Sequence, residues 1–478
     1  MLALILAGAL AAWNLATWPV KLRYPGEENL AEGIPLVEML HLRQGVRIYD
    51  PPTPERFDAA NYGPLYYLVG ARLLDPEKPS ALPLRLVALL ATLACAAGCA
   101  TLALWLSGST LAAALGALTF LSYRIVTLYG VSTRSDLVAL CFCFWGFLVA
   151  YHFRRDRRLL WAIPLILLGV FYKPQFVAGP LAIASCLLLE KRYRLAIEFA
   201  GLLGMGGVAG LGLFGLVVFR GQALLRHLLV YNALPYSLER LGSGLLFFAA
   251  LCFLPALVGL EYLRQHRDRL LTCFVGFALP LSVLTFGRQG SDANYFLESV
   301  AILCPLFAAL LVERIGDAWR AAELLFLLGL SLVLGQFFAL PPPTHEDFAR
   351  DRVIQNYLRA NFAPHTPALG YYTGDLVRAG LETPISNLFH YTWLVRQGLI
   401  PERDLETQIA AKRFGAVVFN FDLEHEQSQV SLNYYLTGPM RQAILANYQP
   451  AASFPMPKLE KFSPTDRFYV WIPKTTSP

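Results

Sequence analysis

Charged residues are scarce in this chain. Lys, Arg, Asp and Glu supply only 15% of its 478 residues, whereas hydrophobic residues supply 56%. A soluble globular domain carries about a quarter charged residues, so this composition argues against a soluble protein and indicates a polytopic membrane protein. The formal net charge is only +6, and Lys and Arg occur in short clusters between apolar runs. This distribution argues against nucleic-acid binding, which needs a basic face.

Cysteine is absent from the polar parts of the chain. All eight cysteines lie inside apolar stretches, and we interpret them as small hydrophobic residues rather than disulfide partners or zinc ligands. The chain also lacks an Asn-x-Ser/Thr glycosylation signal, which favours a bacterial protein. Neither a basic segment nor a cleavage site precedes Lys21, so we expect the first apolar run to be a retained span.

Long apolar runs recur along residues 1–340. Because an apolar helix of about 20 residues crosses a bilayer, these runs predict about eleven transmembrane helices. The predicted fold is therefore a polytopic α-helical membrane domain over 1–340, with a first external loop at 21–81. The predicted spans lie near 2–20, 82–106, 110–128, 136–153, 159–172, 174–189, 195–219, 243–260, 270–287, 299–312 and 321–340.

Four basic clusters orient the predicted bundle. They occupy 154–158, 191–194, 264–269 and 314–320. All four fall on one side of the predicted bundle, which the positive-inside rule makes cytoplasmic, together with the N-terminus. The other loops are then external: 21–81, 124–135, 220–240, 287–298 and the C-terminal region.

The first polar interval, from Tyr24 to Tyr67, contains two adjacent carboxylates. Glu27 and Glu28 follow closely on the first apolar run. An acidic pair at a membrane face is unfavourable unless solvent or a partner compensates it. The pair is therefore a candidate functional site.

A helix between Gly26 and Gly45 would extend this site. Glu32 lies one helical turn beyond Glu28, so such a helix would place both acids on one face, with Pro35 bending it. The alternative interpretation is an amphipathic helix on the bilayer surface whose acids face water.

Three further polar features fall on the same predicted face. Arg134 and Asp136 begin the fourth span, and because residues two apart do not share a helical face, we expect each to have a partner elsewhere. Lys173 lies between the fifth and sixth spans, where a cation could hold a phosphate. Simple snorkelling of Arg134 and a loop position for Lys173 are the alternatives. The third feature is a dense polar turn between two spans: Arg288 to Glu298, including Asn294 and Tyr295.

The composition changes again after residue 340. Thr344 and Asp347 predict a capped helix over 345–361. Apolar runs bounded by turn residues predict strands at 368–372, 415–421 and 468–472, and two more helices at 402–413 and 439–448. We therefore expect residues 341–478 to form an external α/β domain of about 130 residues, long enough for its own core.

These features together suggest a reaction. Carboxylates at an external membrane face can supply a general base. Lys173, Arg134 and Arg288 can stabilise a departing phosphate as its charge develops. A membrane location suits a substrate with a lipid tail. Glycosyl transfer from a polyprenyl-phosphate sugar combines these three demands.

At these positions the chain resembles the GT-C membrane glycosyltransferases, and among them the bacterial relatives of protein O-mannosyltransferases and lipid A aminoarabinose transferase. The resemblance implies catalysis by inversion with a polyprenyl-phosphate donor in the bacterial inner membrane, and a shared C-terminal external (periplasmic) domain. It specifies neither the sugar nor the acceptor. It rests on five short segments: Glu27-Glu28, Asn61 to Tyr67, Arg134 to Asp136, Tyr172 to Pro174 and Asn294 to Glu298.

Three positions depart from the pattern of that family. Glu27 stands where the family has Asp, Asn61 where it has Lys, and Gly63 where it has Pro. A contact made by that lysine in the relatives is therefore missing here.

The hypothesis assigns a role to each residue. Glu27 is the general base, with Glu28 as the alternative, and Asp136 orients the acceptor or the base. Lys173, Arg134 and Arg288 bind the donor phosphate. The sugar or lipid pocket is lined by Tyr62, Tyr66, Asn294, Tyr295 and Glu298.

Two other function classes stay open at this stage. A transporter or flippase of a lipid-linked saccharide would show internal repeats and helix breaks near mid-membrane, and the sequence shows no repeat. A noncatalytic scaffold would use the external domain to bind a cell-wall partner. Some relatives use a divalent ion and others do not. Because no His/Cys set here has ligand spacing, we predict that neither a metal nor another cofactor is required.

Overall fold

The computed structural model describes residues 2–28, 31–221, 223–336, 341–424, 434–455 and 467–475. Helices dominate these residues, and a small sheet lies near the C-terminus. The helices are α1 Leu2–Arg23, α2 Gly33–Arg43, α3 Pro64–Leu73, α4 Leu82–Ser107, α5 Thr110–Ser122, α6 Arg124–Gly130, α7 Asp136–His152, α8 Ala162–Tyr172, α9 Ala178–Leu189, α10 Tyr193–Gly212, α11 Leu238–Leu251, α12 Phe253–His266, α13 Arg269–Phe286, α14 Leu297–Glu313, α15 Ala318–Gly335, α16 His345–Asn361, α17 Thr373–Arg378, α18 Leu388–Arg396, α19 Glu402–Ala410 and α20 Gly438–Asn447. The strands are β1 Ala368–Gly370, β2 Ala416–Phe419, β3 Tyr448–Pro455 and β4 Arg467–Pro473. Short 3₁₀ turns occur at Arg157–Trp161 and Ala293–Phe296, and π-helical turns at Leu213–Val218 and Arg226–Tyr231.

Six helical segments in the described part of the chain are long and apolar enough to cross a membrane, or up to eight if each of two bent pairs is one span. The bent pairs are α5 with α6, at 71°, and α11 with α12, at 65°. The helices α7 and α9 are apolar but shorter. The chain is thus a multi-pass membrane protein, and the number of about eleven spans stays a prediction. The six segments are Ala3–Arg23, Leu82–Ser107, Tyr193–Val218, Arg269–Phe286, Ala293–Glu313 and Ala318–Gly335.

Helix α14 lies at the centre of the bundle. Every residue from Leu297 to Leu311 is buried, and the helix packs against α4, α5 and α12. A helix that is apolar on all sides belongs in a core rather than at a surface. The start of α14 is therefore held rigidly where the polar turn before it meets the other loops.

Glycines set the distance between α10 and α8. A methyl group at Gly206 would overlap Leu167, and one at Gly210 would overlap the ring of Phe171. The spacing of Gly206 and Gly210 predicts close helix packing, and the structure confirms it.

Helix α2 begins later than the sequence predicts. It starts at Gly33, not near Gly26, so Glu28 and Glu32 precede the helix instead of sharing its face. Pro35 lies within the first turn, where the missing N–H of proline removes no helical hydrogen bond, and it therefore need not bend the helix. The predicted end is confirmed, because Gly45 lies just beyond Gln44, the residue that follows the last turn.

The C-terminal region contains a four-stranded sheet in the order β1-β2-β4-β3. Strands β1 and β2 pair in parallel, whereas β4 is antiparallel to β2 and β3. The predicted capped helix is confirmed at the start of α16. The Thr344 hydroxyl accepts from Asp347 N, and the Asp347 carboxylate accepts from Thr344 N. The predicted strands correspond to β1, β2 and β4, whereas β3, α17 and α18 were not predicted.

The C-terminal region packs on the first polar interval. Phe57 pairs with Ile385 as a parallel bridge, and Ser386 Oγ accepts from Ala59 N at 3.1 Å and donates to Glu38 at 2.8 Å. We call this end of the bundle the site end. The opposite end carries the basic clusters, where Arg154 pairs with Asp268 at 2.8 Å, and we call it the basic end. The division of the chain at residue 340 and the membrane face of each end stay predictions.

Candidate active site

Asp136 is the centre of a polar cluster at the site end. Its side chain is fully buried, and its Oδ1 accepts from Lys173 Nζ at 2.6 Å and from Asn294 Nδ2 at 2.5 Å. Arg134 Nε lies 3.4 Å from Asp136 Oδ2. Three separate loops therefore converge on one carboxylate.

The local sequence positions two of these side chains, Lys173 and Asn294. Lys173 has an extended backbone at the end of α8, because Pro174 after it disfavours the helical conformation. Asn294 lies in the 3₁₀ turn Ala293–Phe296, which is capped by Asp292, whose side chain accepts from Ala293 N at 2.7 Å. Both side chains therefore reach Asp136 from the end of a helix, Lys173 after α8 and Asn294 before α14.

Arg134 and Asp136 contact each other, although we expected each to find its partner elsewhere. Helix α7 begins at Asp136, so Arg134 lies before the helix. The rule that residues two apart point to different faces of a helix therefore does not apply to this pair. The expectation is right in part, because Lys173 is a further partner of Asp136.

Aromatic rings and a second arginine surround this cluster. Lys173 Nζ lies 5.4 Å from the centre of the Tyr62 ring, and the guanidinium of Arg134 lies 5.1 Å from that of Tyr129. Arg288 donates to Tyr295 Oη at 2.9 Å. Lys173, Arg134 and Arg288 outnumber the two acids of this region, Asp136 and Asp292. The cluster therefore favours an anion.

Several buried polar atoms in these same loops have no hydrogen-bond partner among the described residues. A buried polar atom without a partner is unfavourable by about 1–3 kcal/mol, so natural proteins rarely keep several together without a purpose. A polar ligand can satisfy them. They are Asn61 Oδ1, Ser135 Oγ, both side-chain polar atoms of Gln175, Arg288 Nε and Asn294 Oδ1. Arg134 Nε and Asp136 Oδ2 also form no hydrogen bond with a described residue, and they contact each other only as an ion pair at 3.4 Å.

Glu27 joins the first polar interval to the C-terminal region. Its two carboxylate oxygens accept from Gly33 N and Gly374 N, each at 2.9 Å. A methyl group on either glycine would overlap the Glu27 carboxyl, so both must be glycine. Burial, reinforced by the charge of Asp375, raises the pKa of Glu27 to about 8. The carboxyl borders a cavity of about 10 Å³, which has room for about one water molecule.

The other two acids of this interval have cationic partners. Glu28 pairs with Lys21 at 2.8 Å, and burial raises the pKa of Glu28. Glu32 pairs with Arg85 at 2.7 Å. Burial alone would raise the pKa of Glu32, but the charge and hydrogen bonds of Arg85 hold it below its usual range.

Glu32 also connects the two acidic regions. Its Oε1 accepts from Thr133 N at 2.8 Å, and the Thr133 hydroxyl donates to Glu32 O at 3.0 Å. Tyr66 donates to the carbonyl of Thr133. Within the described ranges, neither Glu27 nor Glu28 hydrogen-bonds to Asp136 or Lys173, so the connection runs through Glu32 and the segment before α7.

Solved structures provide a comparison for this arrangement. No protein-family model matches the chain, and no curated protein matches it in sequence. The fold is similar to the crystal structure of ArnT from Cupriavidus metallidurans in the apo state, with a TM-score of 0.60, 12% identity and 97% of each chain covered. It is also similar to ArnT from the same organism bound to undecaprenyl phosphate, with a TM-score of 0.59, 12% identity and the same coverage. The chain has the GT-C fold.

Within this GT-C fold, Glu298 is a helix cap. Its carboxylate oxygens accept from Ala178 N at 3.4 Å and Gly179 N at 3.3 Å, at the start of α9. A carboxylate at a helix N-terminus is stabilised by the exposed N–H groups there. These contacts place the Glu298 carboxyl at the start of α9, and its proposed place in a pocket stays a prediction.

Arg85 and the pair of Tyr129 and Asp292 were not predicted from the sequence. Arg85 is fully buried in α4, and besides Glu32 it donates to the carbonyls of Lys21, Tyr24 and Gly26. Tyr129 Oη donates to Asp292 at 2.5 Å. A signal for Arg85 was present, because a lone charge inside an apolar span needs a partner.

Proposed function

We propose that the protein is a membrane glycosyltransferase that moves a sugar from a polyprenyl-phosphate carrier to an acceptor hydroxyl or amine. The GT-C fold supports this proposal, as does the similarity to a structure that contains undecaprenyl phosphate. The observation that carries it is the cation-rich cluster around Asp136, whose loops hold buried polar atoms in need of partners.

The cations bind the departing phosphate. When the bond between the sugar and the phosphate breaks, negative charge develops on the phosphate, and Lys173, Arg134 and Arg288 stabilise it inside a site of low dielectric. Asp136 holds Lys173 and Asn294 in place. Tyr62, Tyr66 and Tyr295 contribute the walls around the carrier and the sugar.

Glu27 is the general base. The acceptor gives its proton to the Glu27 carboxylate through the one water that the neighbouring cavity can hold. In the same step the acceptor oxygen or nitrogen forms its bond to the anomeric carbon from the side opposite the phosphate, and the bond between sugar and phosphate breaks. The carrier leaves as polyprenyl phosphate, and the sugar is transferred with inversion. A base whose pKa is near the working pH is well matched to this task, and Glu28 is the alternative. We place the reaction at the periplasmic face of the bacterial inner membrane.

An assay of transfer tests the proposal. The purified protein is mixed with undecaprenyl-phosphate hexoses and pentoses and with a membrane lipid extract as acceptor, and release of undecaprenyl phosphate is measured in detergent. We expect release by the unaltered protein and its loss in Asp136→Asn and Glu27→Gln.

Asp156→Asn is the matched control, because Asp156 lies at the basic end and ion-pairs with exposed Arg158. It should keep full activity. Activity in detergent excludes a flippase, which needs two membrane faces. Full activity of both site variants would overturn the assigned roles.

A further inference from the structure

A second polar cavity lies at the basic end, far from Asp136. Its volume is about 520 Å³, within the usual range for a small-molecule site. It is lined by the last turns of α4, α7, α9 and α12 and the first turn of α13. Helix α7 starts at Asp136 and has 17 residues, so about 25 Å of helix separates this cavity from the candidate active site.

The cavity has an excess of positive charge. Four arginines and two acids line it. One acid, Asp268, is already engaged: it accepts from Arg154 at 2.8 Å and from Tyr151 at 2.9 Å. The other, Glu190, lies 3.6 Å from Arg192.

Three of the four lining arginines lack an acidic partner. In the part of the chain that the structure describes, Arg155, Arg267 and Arg269 form no ion pair, and all three are exposed. Their long side chains can reach an anion in the cavity without first giving up a bond to the protein. This group is the cationic part of the site.

The wall of the cavity also carries exposed apolar side chains. Trp105 is 41% exposed and stacks on Tyr151 at 6.3 Å between ring centres. Tryptophan is enriched where lipid headgroups meet water. On the adjoining turn of α9, Leu188 and Leu189 are 50% and 63% exposed. This combination of a tryptophan and exposed leucines beside the arginines is typical of a surface at the level of lipid headgroups.

We propose that this cavity binds the phosphate headgroup of an acidic phospholipid, with its acyl chains against α9 and Trp105. Basic pockets between membrane helices recognise such headgroups through their charge. A free anion would use only the arginines, whereas a lipid also uses the exposed apolar rim. The proposal does not depend on the transfer reaction, because it concerns the opposite end of the bundle.

Lipid binding to the full chain tests this proposal. Native mass spectrometry in a neutral detergent measures retention of phosphatidylglycerol, with phosphatidylcholine as the neutral comparison. Each arginine near such a surface contributes about fivefold in affinity, so Arg155→Gln/Arg267→Gln/Arg269→Gln should weaken phosphatidylglycerol binding by about a hundredfold. The control Arg264→Gln/Arg352→Gln/Arg403→Gln removes the same charge from exposed positions outside the cavity and should stay within about twofold.

Three results would overturn the proposal. They are equal retention of the two lipids by the unaltered protein, equal loss in the two triple variants, and displacement of bound lipid by millimolar inorganic phosphate. A crosslinking measurement covers the case in which the triple variant does not fold. A photoreactive phenylalanine at Trp105 should capture phosphatidylglycerol and not phosphatidylcholine, and capture of both or neither also contradicts the proposal.

Discussion

Two buried carboxylate regions lie at the site end, and their charge balance differs. In the first polar interval three acids, Glu27, Glu28 and Glu32, have two ion-pair partners, Lys21 and Arg85. Around Asp136 the balance is reversed, since Lys173 and Arg134 lie within ion-pair distance of one acid. An excess of acid makes a carboxyl hold its proton, whereas an excess of cation attracts an anion. The comparison supports a division of labour, with proton transfer in one region and phosphate binding in the other.

The largest expected effect concerns the acidic region, where the ion pair of Arg85 and Glu32 is structural. Arg85→Met leaves Glu32 buried without its cation, which typically destabilises a protein by about 3–5 kcal/mol. Thermal unfolding in detergent measures the loss. Arg72→Met, at an exposed position of α3, is the control. Equal melting temperatures for the two variants would show that Arg85 is not structural, and Arg85→Met/Glu32→Leu should recover part of the loss.

The next effect concerns the cation-rich region and should appear in activity rather than stability. Lys173→Met leaves Asp136 with Arg134 and Asn294, so the fold should survive. Removing one donor to a developing oxyanion slows a reaction by about 10²–10³-fold, and transfer should fall by that factor. Release of undecaprenyl phosphate measures it, with exposed Lys78→Met as the control. If Lys173→Met lowered the melting temperature as much as Arg85→Met, the cation-rich region would be as structural as the acidic region, and the proposed difference between them would be wrong.

The smallest effect is the pH dependence of transfer. If Glu27 is the base and burial raises its pKa to about 8, its ionised fraction should rise about 50-fold between pH 6 and pH 8. Burial also lowers the pKa of Lys173 to about 8, so the lysine loses its charge above that pH, and the rate should rise to a maximum near pH 8 and then fall. The raised pKa means that the active, ionised form is lost as the pH falls. A pH series of initial rates measures the rise. The residual rate of Glu27→Gln should not follow it, and a flat profile for the unaltered protein would move the role of base to another group.

The helices, and the fact that the loops of Asp136 and Lys173 lie at the same end of the bundle, could be predicted from the sequence because both depend on patterns along the chain. Apolar runs predict helices such as α4 and α14, and the residues of the capping box predict α16. The basic clusters predicted that Asp136 and Lys173 share one face, and in the structure Lys173 Nζ lies 2.6 Å from Asp136 Oδ1. Strand β3 was missed because its residues are largely exposed, so it lacks the apolar signature of a buried strand.

The partners of the acids could not be predicted in the same way. Glu27 contacts Gly374, 347 positions along the chain, and Arg85 meets Glu32 only after the first polar interval folds back over α4. The start of α2 was misplaced because the contacts of the preceding turn, and not helical spacing, fix Glu28 and Glu32.

The sequence by itself determined that this chain crosses a membrane and that the loops carrying Asp136 and Lys173 meet at one end of the bundle, because a bilayer imposes the same length and polarity on every span. Only the tertiary structure decided which carboxyl holds a proton and which binds a cation. That choice depends on burial and on charges within a few ångströms, and the residues that supply them are distant in the chain.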